Sequence, residues 1–187
     1  MSGIVVDHLE RRAATVRELL VPIRPAQGAG RREVATKLVF LPGAKRTAVI
    51  AAQERRDEGP YRDWLIRTCV SHVWAHYSEK WIEDNAHSWE LRQAALHLFV
   101  VEGPREDMRR EVFALHCEPQ HEGNSISALC KRGMHVHVTA GRNELSHAHV
   151  PLHLKDLEEV LSSAEAFTEL FKAAIRVIEV EVVARLG

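Results

Sequence analysis

The chain has 187 residues, of which 45% are hydrophobic, 27% charged and 6% aromatic. Its 25 basic and 26 acidic side chains leave a formal net charge of −1. Those figures exclude a disordered chain, which combines low hydrophobicity with high net charge. They also argue against bulk nucleic-acid binding, which takes a strongly basic domain. No apolar run approaches the ~20 residues of a helical membrane span, so no membrane partner is expected.

The opening stretch MSGIVVDHLERR turns charged too early for a secretory signal. Cys69, Cys117 and Cys130 form an odd, sparse set with no CxxC pair. Both features lead us to expect a cytoplasmic protein.

In chain order, Val5 to Val21 carries apolar residues at helical spacing, and Pro22 and Pro25 end it. VATKLVFLPG and RTAVIAAQE are rich in strand formers and are separated by Pro42-Gly43, which reads as a hairpin. From Tyr61 to about Asn85, the series Ile66, Val70, Val73, Tyr77 and Trp81 predicts a central helix, which also carries Trp64 and Trp74. AALHLFVV and EVFALHC, divided by Gly103-Pro104, predict two neighbouring central strands. Two more strands follow, with a turn near Gly141. Leu154, Leu157, Val160 and Leu161 stripe a first C-terminal helix, and Ser162 with Glu165 makes a capping-box pattern before a second. The last stretch, RVIEVEVVARL, suits a helix or a strand.

This order predicts an α+β fold: an antiparallel β-meander of four to six strands, packed with N-terminal, central and C-terminal helices. Residues 1–187 read as a single domain, with residues 1–58 as a semi-independent N-terminal part.

The most unusual feature is histidine. Eight of the twelve histidines fall from His97 to His153, and four of them form two His-x-His pairs, His135 with His137 and His147 with His149. Residues i and i+2 of a strand face the same way, so each pair presents two imidazoles together. Val136, Val138, Ala148, Val150 and Leu152 must share the opposite face. Only a three-residue turn at Gly141-Arg142-Asn143, or a five-residue one, satisfies that pattern and gathers all four imidazoles on one side. The three-residue turn sets His137 opposite His147 and His135 opposite His149. Opposed side chains lie about 5 Å apart at Cβ, close enough for imidazoles to share a metal ion. His135, His137, His147 and His149 are therefore the candidate ligands for zinc or iron. His153 extends the row by parity, and His116, Cys117, His121 and Cys130 lie near enough in sequence to add a ligand. Glu144, at the turn, is the candidate general base.

A polar sheet face with no ligand explains the same alternation. Known histidine motifs do not fit. A histidine-triad hydrolase needs a third alternating histidine where Thr139 stands, and the helix of zinc proteases needs glutamate where Val73 follows His72. GAGRR lacks the lysine of a phosphate loop, and no Gly-x-Ser-x-Gly elbow occurs. On the expected central helix, His72 and His76 at i, i+4 share a side with Glu79 and Glu83 and would close over the histidine face.

Two functions follow as expectations. One is a metal-binding protein, with hydrolysis of a small-molecule substrate by metal-activated water as its simplest chemistry. The other is a non-catalytic interaction protein whose Trp-bearing central helix or apolar C-terminal helix docks a protein partner, or a second copy in a homodimer.

Overall fold

The computed structural model describes residues 3–24, 34–43, 45–54, 59–84, 87–102, 109–119, 131–138, 148–151 and 157–187. Its elements are β1 (Val5–Val6), α1 (Leu9–Leu19), β2 (Val34–Leu41), β3 (Thr47–Glu54), β4 (Ile66–Arg67), β5 (Val73–Glu83), β6 (Trp89–Val101), β7 (Arg109–Cys117), β8 (Met134–Val138), β9 (Ala148–Pro151), α2 (Leu157–Val160) and α3 (Ala164–Ile178). Among the described residues the strands form one nine-stranded antiparallel sheet in the order β2-β3-β5-β6-β7-β8-β9. β1 pairs with the start of β6 and β4 with the start of β5. Apart from the two-residue strands β1 and β4, neighbours in the sheet are neighbours in sequence, so the expected α+β meander is present, with more strands than the sequence predicts.

The central helix is not. Residues Val73–Glu83 form the strand β5. Val73, Ala75, Tyr77, Glu79 and Trp81 are buried on one face, while Trp74, His76, Ser78 and Lys80 alternate on the other. The helical series Val73, Tyr77 and Trp81 is also a subset of this period-two series. The two positions that would separate the readings are filled by a small residue, Ala75, and a charge, Glu79, so the alternation does not look hydrophobic. Bulky Val73, Trp74, Tyr77, Trp81 and Ile82 favour the strand.

Both long helices pack on the face of the sheet that carries Tyr77 and Glu79. α1 turns Leu9, Ala13, Val16 and Leu19 inward, and α3 turns Phe167, Phe171, Ile175 and Ile178 inward. Tyr77 meets Phe171 edge-on, with ring centroids 5.3 Å apart. Ser163, not Ser162, caps α3: its hydroxyl accepts from the Ala166 N–H at 3.1 Å. The ambiguous tail is helical, running on from α3 as a wider turn over residues Glu179–Val183.

A buried ion pair joins these layers. The Arg12 guanidinium on α1 donates through Nε and Nη2 to the two carboxylate oxygens of Glu79, at 3.0 and 2.6 Å. Its Nη1 donates to Thr168 Oγ1 of α3 at 2.5 Å. Tyr77 Oη and Trp81 Nε1 also donate to Glu79, at 2.5 and 3.1 Å. Burial opposes the charge on Arg12, but the carboxylate outweighs it and raises the guanidinium pKa further. Burial, then the same carboxylate, drives the Tyr77 hydroxyl well above its usual range, so it remains a donor.

Breaking one side of a buried pair strands the other charge, at about 3–5 kcal/mol. Arg12→Met is therefore expected to lower unfolding free energy by about that amount in urea titrations. Arg12→Met with Glu79→Gln should recover much of the loss, because the amide oxygen still accepts from Tyr77 or Trp81 without a stranded charge. A double variant as unstable as Arg12→Met alone would contradict this account.

Candidate metal centre

The opposite face of the sheet carries the histidines. Register places His76 of β5 opposite His97 of β6, His97 opposite Ala114 of β7, Ala114 opposite His137 of β8, and His137 opposite His149 of β9. One step along, Ala95, His116, His135 and Pro151 form the adjacent row. Histidine and alanine thus alternate between β6 and β7, and β8 carries histidine in both rows. Ala95 and Ala114 are small enough for the neighbouring rings to lean over them and meet. His116 and His135 are buried, and His137 is half-buried.

The rings converge closely. His116 and His137 have centroids 3.7 Å apart, and His97 and His116 4.8 Å. His135 Nε2 lies 3.1 Å from His137 Nε2, and His116 Nε2 lies 3.2 Å from His97 Nε2. One ring nitrogen from each of His116, His135 and His137 can be chosen so that all three lie within 4.8 Å of one another. Two nitrogens on a tetrahedral zinc, at bonds of 2.0–2.1 Å, stand about 3.3 Å apart. The His135–His137 contact already has that spacing, and His116 lies within 4.8 Å of both. These three residues could hold a metal.

Two of the rings are oriented from behind. His135 Nδ1 faces the Gly133 carbonyl at 3.0 Å, and His97 Nδ1 faces Glu111 Oε2 at 2.7 Å. Carbonyl and carboxylate oxygens only accept, so both Nδ1 atoms carry the proton and donate. Neutral rings so held keep Nε2 as the lone-pair nitrogen, the arrangement that metal-ligating histidines commonly show. At the far end of the row, His76 Nδ1 donates to the Trp64 carbonyl at 2.8 Å. Trp64 belongs to a small apolar cluster with Val49 and Ala51 that covers this end of the histidine face. Burial, partly offset by the Trp64 carbonyl and reinforced by His97, lowers the His76 pKa.

Of the residues singled out from the sequence, His135 and His137 lie in the cluster. His149 occupies the backbone position opposite His137. That is the five-residue register, not the three-residue one. His147 and Glu144 lie outside the described residues, as do His121, Cys130 and His153. Cys117 faces the helical layer, where it is buried and its thiol donates to the Arg132 carbonyl at 3.4 Å. Burial raises its pKa, which keeps it a thiol and not a ligand. The expected grouping of His72, His76, Glu79 and Glu83 does not form, because a strand sends His76 and Glu79 to opposite faces. Glu83 instead pairs with Arg46 at 3.0 Å. His97 and Glu111 were not apparent as site residues from sequence. The signal that finds His97 is the recurrence of histidine in every successive strand, once β5 to β8 are aligned as a meander.

Compared with protein-family models, curated proteins and solved structures, the chain has no match.

The lowered His76 pKa gives a pH test. The unfolded chain takes up this proton first as pH falls below about 6.5. The stability tied to neutral His76 is complete above that pH and is lost as pH falls through the folded-state value. In chelator, His76→Gln should lose less stability than wild type between about pH 7.5 and about pH 5, measured by urea unfolding. Equal losses would show that His76 carries none of the acid sensitivity.

Proposed function

We propose that the protein binds one divalent transition-metal ion, zinc or iron, through His116, His135 and His137. The observation that supports this is the convergence of three buried or half-buried imidazoles, with one ring nitrogen of each within 4.8 Å of the others. His149, opposite His137 in register, and His147, in the segment that joins β8 to β9, are the proposed sources of a fourth ligand. Three protein ligands are the set found in catalytic zinc sites, which keep one position open. A metal bound there supplies Lewis acidity and lowers the pKa of water toward neutrality. Hydrolysis of a small substrate is thus the simplest reaction for this centre, with Glu144 as the proposed base.

Elemental analysis of untagged protein should find about one metal per chain, and His137→Ala should lose it. Metal present at 100 times its dissociation constant would stabilise the fold by about 2.7 kcal/mol, and chelator would remove that increment. Metal-free wild type that cannot be reloaded with zinc or iron would return the histidines to a polar sheet face.

A second reading has its own observation. Val177 and Val180, on and just beyond α3, are 60% and 61% exposed. Val177 borders an apolar groove lined by Phe113, Val136, Leu170, Ala174 and Val182. This surface supports a docking role, with a second copy of the chain as the simplest occupant. Light scattering in chelator should then show a dimer that Val177→Glu dissociates. A monomer at every concentration would remove that reading and leave the metal proposal untouched.

A further inference from the structure

The metal reading names three imidazoles and leaves two polar groups beside them without a role. His97 and Glu111 form a hydrogen-bonded pair that ends against His116. Glu111 Oε2 accepts from His97 Nδ1 at 2.7 Å. In the neutral ring that leaves the lone pair on Nε2. His97 Nε2 then faces His116 Nε2 at 3.2 Å. Two bare nitrogens cannot form this contact, so His116 supplies the proton from Nε2. A neutral imidazole holds one N–H, which leaves Nδ1 as the lone-pair nitrogen of His116.

Resting on the metal reading above, we infer that Glu111 and His97 are positioning residues that hold His116 in its Nε2–H tautomer and so assign Nδ1 as its metal-binding atom. His135 is set in the complementary way: its Nδ1 donates to the Gly133 carbonyl, and Nε2 is its ligand atom. The cluster therefore presents one Nδ1 and one Nε2 from adjacent strands, each fixed by a partner behind it. His137 is the adjustable member. In the metal-free protein its Nε2–H occupies the 3.1 Å contact with His135 Nε2. A metal entering there needs only a shift of that proton to His137 Nδ1, with no net proton gained or lost by the ring.

The Ala95 and Ala114 positions make the relay geometrically workable. Ala114 lies directly opposite both His97 and His137, so the row that would hold a third ring holds a methyl group. His116, one step along, leans into that space and touches both. Glu111 sits at the outer end with its side chain 38% exposed. The chain from Glu111 through His97 to His116 thus links the half-open face of the sheet to the buried centre.

The experiment has two arms. Long-range proton–nitrogen correlation spectra of imidazole-labelled, metal-free protein read each tautomer directly. His116 should appear as Nε2–H in wild type. In Glu111→Ala it should shift toward a mixture, because His97 is no longer fixed, and Glu111→Gln should restore it, since the amide oxygen still accepts. An Nδ1–H form of His116 in wild type would overturn the inference, whatever the metal content. In the second arm, Co(II) is titrated into each variant. Glu111→Ala and His97→Ala should bind about 10- to 100-fold more weakly than wild type. His97→Gln should recover part of the loss by accepting from His116. At saturation, the cobalt absorption bands should match wild type in every case, because the ligand atoms are unchanged. Wild-type affinity in Glu111→Ala, or altered bands at saturation in His97→Ala, would overturn the positioning role; the latter would make His97 itself a ligand. Failure of wild type to bind cobalt or zinc would remove the metal reading alone, and the tautomer arm would still decide the hydrogen-bonded assignment.

Discussion

The buried pair between Arg12 and Glu79 is the constraint around which the layers are arranged. A carboxylate in the middle of β5 has no water to solvate it, so every oxygen lone pair it uses must be met by protein. Arg12 meets it with two parallel N–H donors, and Tyr77 and Trp81 add one each. That demand fixes where α1 crosses the sheet, since only a guanidinium at Arg12 reaches Glu79 in this geometry. The third nitrogen of Arg12 reaches Thr168, and α3 is tied to the same point. A hydrophobic contact between helix and sheet tolerates sliding, because burial is non-directional. A bidentate pair does not. The pair is better understood as a registry device than as a source of net stability, since apolar replacements of buried pairs are often neutral or stabilising.

Once the helices are committed to one face, the other face is free to be polar. Residues of opposite parity on β5 to β8 point away from the helical layer, and these are the positions where histidine recurs. Apolar cover on this side includes the β2 and β3 end, where Trp64 packs on Val49 and Ala51. His76 marks the border, with one nitrogen bound to the Trp64 backbone and the ring against His97. The same strand, β5, thus contributes a carboxylate to one layer and an imidazole to the other. Period two makes that separation possible; a helix over the same residues would have mixed them.

Much of this was legible in the sequence where pattern and propensity agree. The β2–β3 hairpin, the two strands around Gly103-Pro104 and the parity of the histidine hairpin all followed from alternation and turn residues. β5 was not, because Glu79 interrupts the hydrophobic alternation at a core position. Its compensating partner, Arg12, is 67 residues away, and no local window contains both. The same limit applies to the site. His135 and His137 stand out because they are close in sequence. His116 was visible only as a nearby extra, and His97 not at all, since their approach depends on the pairing of β6 with β7 and β7 with β8. Ala95 and Ala114 carry as much information as the histidines, but a small residue signals nothing until its neighbours across the sheet are known.

The closeness of the imidazoles limits what the cluster can be. Two imidazolium ions about 4 Å apart repel by about 4 kcal/mol at an effective dielectric of 20. Burial removes the solvent that would soften this, and the centroids of His116 and His137 are 3.7 Å apart. Rings packed this tightly are stable together when neutral, with each shared gap holding one proton, or when a cation takes the place of a proton and draws the lone pairs inward. The surrounding acceptors support both states equally. The Gly133 carbonyl and the Glu111 carboxylate each engage the nitrogen that points away from the cluster, and leave the inner nitrogens to one another. With the lone pairs of His97 and His135 turned inward, next to alanines that leave room between the rings, the same cluster could exchange a shared proton for a metal ion without repositioning its outer acceptors.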